Sequence, residues 1–309
     1  LTLTAGLALA LTWTTRGWGA RVLWAGVTIS MAAVFVITWR AYGENTVALR
    51  RSFYGSLRVV DSSMTDQTRS LFHGTVQHGA EYLADSRRRE ATTYYGSDSG
   101  IGILLREWLP KPKRVGIVGL GAGTLSVYGE SGDAFRFYEI NPQIVELAQQ
   151  YFFFLRQSKA KLSIVEGDAR LTLESEHAEA YDVLVLDAFS GDAIPVHLLT
   201  KQAMELYKRR LQPQGVIAFH VSNNYLNLAP VVRQLATDAG YQSMVVRNRA
   251  DKESLVLASE WVLVTNNPQV LENDALKLHS VNLPDRTDLR LWTDDFNSLL
   301  PILKTPEVR

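Results

Sequence analysis

The residues of this chain best placed to do chemistry stand where apolar runs end. Residues 115–118 form one such run and lead into Gly119, Gly121 and Gly123, a GxGxG turn with a helix expected behind it. Glycine in such a turn lets the main chain approach a ligand with no side chain between them. Glu139 closes the next run, twenty residues beyond Gly119, where a carboxylate can accept both hydrogen bonds of a ribose diol. Asp168 follows the third run in the stretch Glu-Gly-Asp-Ala. It can cap a helix or accept from the exocyclic amine of an adenine. Asp187 ends the fourth run, YDVLVLD, and Asp192 follows in the polar loop AFSGDAIPVHLLT. Ligands of open α/β sheets bind at this carboxyl edge, where an acid can orient an attacking amine, accept its proton, or simply cap the loop.

Positioning these groups requires an ordered sheet. Short apolar stretches at 115–118, 135–140, 162–165, 183–186, 216–221, 244–246 and 261–264 read as strands. Amphipathic stretches read as helices: one opened by Pro142 and running to about 155, one over 198–211 ending before Pro213, and one over 228–239 ending at Gly240. Strand–helix alternation with nearly continuous apolar strands predicts an α/β fold, a parallel sheet with helices on both faces. Upstream, residues 55–82 alternate with glycine punctuation and predict short strands and hairpins. Residues 85–90 (DSRRRE) read as a solvated turn, and Ile101, Leu104, Leu105 and Trp108 as one face of a helix within 92–108.

Composition adds limits. Lysine and arginine number 32 and balance 32 acidic residues, so no global field favours nucleic acid. The absence of cysteine excludes disulfides and thiolate chemistry, and the six histidines form no HxxxH pair, so no metal site is expected. Residues 22–39 carry no charge over eighteen positions, between Arg21 and Arg40, with Trp24 and Trp39 near the ends. That suffices to cross a bilayer core of about 30 Å. A second apolar run over residues 1–13 reads as the end of a helix begun upstream, giving a transmembrane hairpin. A cleaved leader, or two buried helices of a soluble domain, are the alternatives. Arg40, Arg50 and Arg51 favour a cytoplasmic C-terminal side, while Arg16 and Arg21 oppose it. The expected organisation is a transmembrane segment over 1–40, a connector and small β-unit over 41–92, and a nucleotide-binding catalytic domain over 93–309.

GxGxG differs from the GxGxxG of dinucleotide folds and resembles the first motif of class I methyltransferases and aminopropyltransferases. Together with FYGSLRV, HGTVQHG, TTYYGSDSGIG, EINP, GDAR and YDVLVLDAFSGDAIP, it makes residues 53–265 resemble the spermidine synthase family, specifically its bacterial membrane-fused relatives. The resemblance implies a class I methyltransferase-like fold preceded by a small β-hairpin unit. It implies that Gln77 contacts the nucleoside or its methionine-derived tail, Glu139 the ribose and Asp168 the adenine. Asp187 is then the catalytic aspartate, aided by Tyr95 and Asp192. It further implies decarboxylated S-adenosylmethionine, or S-adenosylmethionine itself, as co-substrate, a small amine acceptor and, as often in the family, a homodimer. The location implied is the cell inner membrane with the catalytic domain in the cytoplasm.

The chain also departs from the family pattern. Ala122 stands where the family carries an aspartate for the donor's amino group, the histidine after the amine-side tyrosine is missing, and the DxxDP gate is stretched to Asp187…Asp192…Pro195. The leading expectation is aminopropyl transfer with release of methylthioadenosine. An enzyme using intact S-adenosylmethionine, for methyl or aminocarboxypropyl transfer or sulfonium cleavage, is the alternative, and a membrane-tethered nucleoside- or polyamine-binding domain without turnover is the third. The acidic pair in Trp292-Thr-Asp-Asp-Phe296 reads either as a lid over an amine or as an exposed turn.

Overall fold

The computed structural model describes residues 2–304 except 15–16, 63–66, 109, 177–179, 189–194, 252, 285 and 287. The chain divides into two units, Leu1–Val47 and Ala48–Arg309. The first holds α1 (Thr2–Thr14) and α2 (Trp18–Gly43), which contact each other. Within α2, Trp18–Arg40 spans 23 residues at a mean hydropathy of 2.0, long and apolar enough to cross a bilayer, and none of its most apolar stretch is buried.

The second unit carries two sheets. A four-stranded sheet runs in the order β1 (Thr46–Ser52), β2 (Gly55–Ser62), β3 (Thr68–His73), β4 (Val76–Tyr82), with β2–β3 and β3–β4 antiparallel. It begins earlier than the hairpins expected from residue 55, because Thr46–Ser52 adds an edge strand. After α3 (Gly100–Glu107) come β5 (Arg114–Val118), β6 (Ala134–Glu139), α4 (Pro142–Tyr151), α5 (Phe154–Gln157), β7 (Lys161–Glu166), α6 (Ala169–Ser175) and β8 (Tyr181–Leu186). The chain continues with α7 (Lys201–Arg209), β9 (Leu211–His220), α8 (Ala229–Asp238), β10 (Gln242–Asn248) and β11 (Ser259–Thr265). It closes with α9 (Pro268–Leu271), α10 (Asp274–Leu278) and β12 (Ser280–Val281).

These strands make an eight-stranded sheet in the order β12-β10-β11-β9-β8-β5-β6-β7. Strands β7, β6, β5, β8 and β9 are parallel, as their apolar sequences predict, and Val115, Ile117, Val183, Val185, Val216 and Ala218 are fully buried. From β9 onward the pairing turns antiparallel. The cause is local: β10 and β11 are joined with no crossover helix, and only antiparallel neighbours can be connected that way.

Three helices differ from expectation. The glycine turn leads only into a 3-10 turn over Thr124–Tyr128, which Gly129 ends in extended conformation. A side chain at Gly129 would meet Ala160, so the chain passes too close there to continue as a helix. Helix α3 starts at Gly100, where Ser99 caps it by accepting from Gly102 N–H. The helix opened by Pro142 breaks at Phe152 and Phe153: Phe152 is wholly buried, and Phe153 N–H is diverted to Glu81 at 2.8 Å.

Candidate active site

Parallel strands deliver their carboxyl ends to one edge of the sheet, and the sequence put acids there. Glu139 ends β6 and is buried, its two oxygens accepting from Leu120 N–H at 3.0 Å and Asn141 N–H at 2.9 Å. Burial raises its pKa above the usual carboxylate range, and the backbone N–H bonds of Asn141, Leu120 and Ile140 oppose that rise. Each oxygen keeps a further lone pair, enough for a diol. Asp168 caps α6, accepting from Leu171 N–H at 3.0 Å, and its other oxygen lies 3.3 Å from His197 Nε2. The capping reading therefore holds, and the carboxylate still lines the cavity below.

Glu139 and Asp168 line a cavity of about 310 Å³ with Tyr54, Gly119, Gly121, His197 and Asp187. The turn needs its glycines. Gly119 has φ +99, and a Cβ there would lie 2.3 Å from the Asp187 carbonyl oxygen. Gly121 has φ +54, and its Cβ would lie 2.6 Å from the His78 carbonyl oxygen. Gly123 does not line this cavity: it packs on Leu155 instead. Ala122 is buried, and the Cβ of any residue at Gly79 would meet it at 2.5 Å, so the family's aspartate position is filled by packing against β4.

A second cavity, also of about 310 Å³, lies on the other side of Asp187, lined by Gln77, Tyr94, Tyr95, His220, Ser222, Arg247, Glu260 and Lys304 among others. His78 and Asp187 line both cavities. Asp187 is nearly buried and accepts twice: from Tyr95 Oη at 2.6 Å and, through its other oxygen, from His220 Nδ1 at 2.7 Å. His220 Nε2 in turn meets Ser222 Oγ at 2.8 Å, and Ser222 Oγ accepts from Glu260 N–H at 2.8 Å. The imidazole is stacked on Trp261, with ring centroids 4.6 Å apart and 16° between planes. Burial, then the Asp187 charge and hydrogen bond, raise the Tyr95 phenol well above its ordinary pKa, so it remains a donor. The carboxylate is thus fixed in orientation from two sides.

Tyr95 and Asp187 come together as expected. Gln77 donates to Ser70 at 2.9 Å and lines the second cavity rather than the one holding Glu139 and Asp168. Asp192 lies outside the described residues. Trp292 is buried, and Asp294 forms a paired contact with Arg170 at 2.7 and 2.6 Å and accepts from Thr200. The 292–296 segment is therefore a structural turn, and neither cavity includes it.

Sequence reasoning missed His78 and His220. His220 ends β9 at the same sheet edge as Asp187, so a polar residue closing an apolar strand was the available signal. His78 is the extra residue of a β-bulge: Leu71 pairs with Gly79 while Phe72 pairs with Gln77. A bulge re-aims its side chain, here onto the junction of the two cavities. Burial, then the neighbouring His73, push the His78 pKa down to about 4, so its ring is neutral at physiological pH. Its Nε2 is buried with no hydrogen-bond partner among the described residues.

No family model matches the chain. It is 35% identical over 115 residues to a polyamine aminopropyltransferase of Vibrio vulnificus, covering 35% of this chain and 37% of that protein. It is 32% identical over 119 residues to the polyamine aminopropyltransferase of Chromobacterium violaceum, covering 38% and 44%. The chain thus spans less than half the length of these curated relatives. Among solved structures, a probable spermidine synthase from Corynebacterium glutamicum superposes with a TM-score of 0.56 at 17% identity, over 71% of this chain and 79% of that one. The fold is spermidine synthase-like, and part of the sequence is similar to polyamine aminopropyltransferases.

Proposed function

We propose that this spermidine synthase-like chain is a transferase moving an aminopropyl group from decarboxylated S-adenosylmethionine to a small amine, releasing methylthioadenosine. The observation that carries this reading is the meeting of two cavities at one oriented carboxylate, Asp187. Glu139 and Asp168 suit the ribose and adenine in the first cavity, with the glycine turn beneath them. Gln77 is assigned to the second cavity, at the reacting end of the donor. In the reaction the amine forms a C–N bond with the carbon attached to sulfur. The C–S bond breaks with its electron pair left on sulfur, and the new ammonium loses a proton. Asp187, its oxygens held by Tyr95 and His220, orients the amine along that line and accepts the proton. Asp192, five positions after Asp187 in the chain, is proposed as a second acid of this reaction.

Anchoring through α2 in the inner membrane, with the transferase unit on the cytoplasmic side and a homodimer as working state, belongs to the same proposal. The anchoring is supported by the apolar span and the orientation by Arg40, Arg50 and Arg51 beyond it, against Arg16 and Arg21 before it; the homodimer rests on the family resemblance alone.

A second reading, in which intact S-adenosylmethionine is the donor, is favoured by Ala122, which places no carboxylate against the donor's own. Calorimetric titration with methylthioadenosine and both donors, with product analysis, separates the readings. The decarboxylated donor is expected to bind more tightly and to yield methylthioadenosine, with binding lost in Glu139→Ala. Tighter binding of the intact donor would move the assignment to the second reading. Binding of no nucleoside would refute both.

A further inference from the structure

His78 shares with Asp187 the place where the two cavities meet, and among the described residues no other lines both. Its main chain is fixed there from two directions. The His78 carbonyl accepts from Ala122 N–H at 3.3 Å, and a Cβ on Gly121 would lie 2.6 Å from that carbonyl oxygen. The next residue, Gly79, has φ +150, and a Cβ there would lie 2.5 Å from the Cβ of Ala122. Strand β4 and the glycine turn therefore meet backbone to backbone, and the bulged residue is carried to the junction by both.

The neighbouring polar side chains are already engaged. Tyr95 directs its O–H at one oxygen of Asp187, while His220 meets the other oxygen through Nδ1 and Ser222 through Nε2. His78 differs from them. It is half-buried, its Nε2 is closed off from solvent, and neither ring nitrogen has a hydrogen-bond partner among the described residues. An unpaired ring nitrogen at such a place costs free energy that a ligand carrying N–H groups can restore. Burial, then the neighbouring His73, hold its pKa at about 4 against the pull of the Asp187 charge, so the ring is neutral, with one N–H and one bare nitrogen. With Nε2 shut away, Nδ1 is the nitrogen that can reach a ligand.

A primary amine attacking carbon presents two N–H groups and one lone pair. One hydrogen bond to Asp187 leaves the amine free to turn about that bond, and its lone pair turns with it. Resting on the reading above, we infer that His78 Nδ1 accepts the second N–H of the attacking amine, so that Asp187 and His78 together aim its lone pair at the carbon attached to sulfur. The proton of the imidazole then resides on Nε2. Fixing the nucleophile's direction in this way removes a rotation that would otherwise be lost on the way to the transition state. Being uncharged, the imidazole does so without favouring the ammonium form, which has no lone pair to attack with.

The test uses the full chain in detergent, saturated with decarboxylated S-adenosylmethionine and assayed for methylthioadenosine release against putrescine concentration. His78→Leu removes the acceptor, and His78→Asn places an amide oxygen on Cγ, where Nδ1 is attached in the imidazole. The leucine variant is expected to lower kcat/KM for putrescine by about tenfold or more, and the asparagine variant to recover most of that loss. Methylthioadenosine affinity, measured by calorimetry, is expected to stay within about threefold in both. The wild-type preference for putrescine over N,N′-dimethylputrescine, whose nitrogens carry one N–H each, is expected to narrow in His78→Leu. An unchanged rate in His78→Leu, equal loss in the two variants, or a preference that the leucine leaves unmoved overturns the inference. Methylthioadenosine affinity falling in step with the rate also overturns it, because the imidazole would then serve the nucleoside cavity. Absence of methylthioadenosine release from the wild type removes the reading on which the inference depends, and the inference with it.

Discussion

Asp187 is held by two donors of different kinds, and this defines what its removal should do. Tyr95 and His220 each direct an N–H or O–H at one of its oxygens, so the carboxylate has little freedom to turn away from the cavity junction. An asparagine in its place keeps the shape but presents an amide N–H to one of those donors and cannot take a proton. Asp187→Asn is therefore expected to lower the rate of methylthioadenosine release by about 10²–10⁴-fold, the range for losing a positioned acid–base group. Methylthioadenosine affinity should stay within about threefold, because Glu139 and Asp168 remain and one such contact changes binding by little more than RT. Stopped turnover with intact nucleoside binding, read by product release and calorimetry, is the expected pair of results. Equal loss of both would mean that Asp187 supports the nucleoside cavity rather than the chemistry. Glu139, Asp168 and Asp187 were legible in the sequence because each ends an apolar run, and strand ends in a parallel sheet share one edge. His220 was less so: β9 follows β8 both in the chain and in the sheet, but a histidine closing an apolar strand is a weaker signal than an acid in the same place. His78 was legible only as a neighbour of Gln77, because a one-residue bulge decides which of the two faces the junction.

Among the elements, β4 couples the small sheet to the eight-stranded sheet through buried polar groups. Glu81 is wholly buried on β4 and accepts from Phe153 N–H at 2.8 Å, at the break between α4 and α5. Its second oxygen is buried with no hydrogen-bond partner among the described residues. Burial is the main cause that pushes its pKa up to about 7, opposed by the Phe153 N–H and by Arg88, Arg69 and Arg156. Between the ordinary value of 4.5 and about 7 the folded chain therefore holds a proton that the unfolded chain has released. The stability this contributes is complete below the unfolded value and is lost as pH rises through the folded one. Glu81→Gln carries no such penalty. In urea unfolding it is expected to exceed the wild type by about 1–2 kcal/mol at pH 8.5, with the difference closing toward pH 5. A difference independent of pH would point to packing at Phe153 instead. This break in the helix was not legible from Pro142 and the apolar spacing after it, because it depends on a carboxyl group 72 positions away along the chain capturing a backbone donor.

At the scale of the molecule, the two units differ in what they do with apolar surface. The second buries its apolar residues in two clusters on either side of the eight-stranded sheet, and the sheet seals both. The first leaves Leu7, Leu23, Ile29, Ile37 and Trp39 more than half exposed. A helix with an apolar circumference of this kind is stable in lipid, where its backbone is satisfied internally, and is a liability in water. The division at residue 47 also falls before the small sheet's buried positions, so removing the first unit takes none of the residues that line either cavity. The full chain is therefore expected to partition into the detergent-rich phase in a cloud-point separation. A chain beginning at Ala48 is expected to remain in the aqueous phase, unfold cooperatively and bind methylthioadenosine within about twofold of the full chain, a change of less than RT. Loss of β1 residues Thr46 and Val47 is the structural cost of that cut, and it falls at the end of an edge strand, where ladder bonds are fewest. If the shortened chain instead aggregates or loses nucleoside binding, the helices contribute to the fold of the second unit and not only to its attachment.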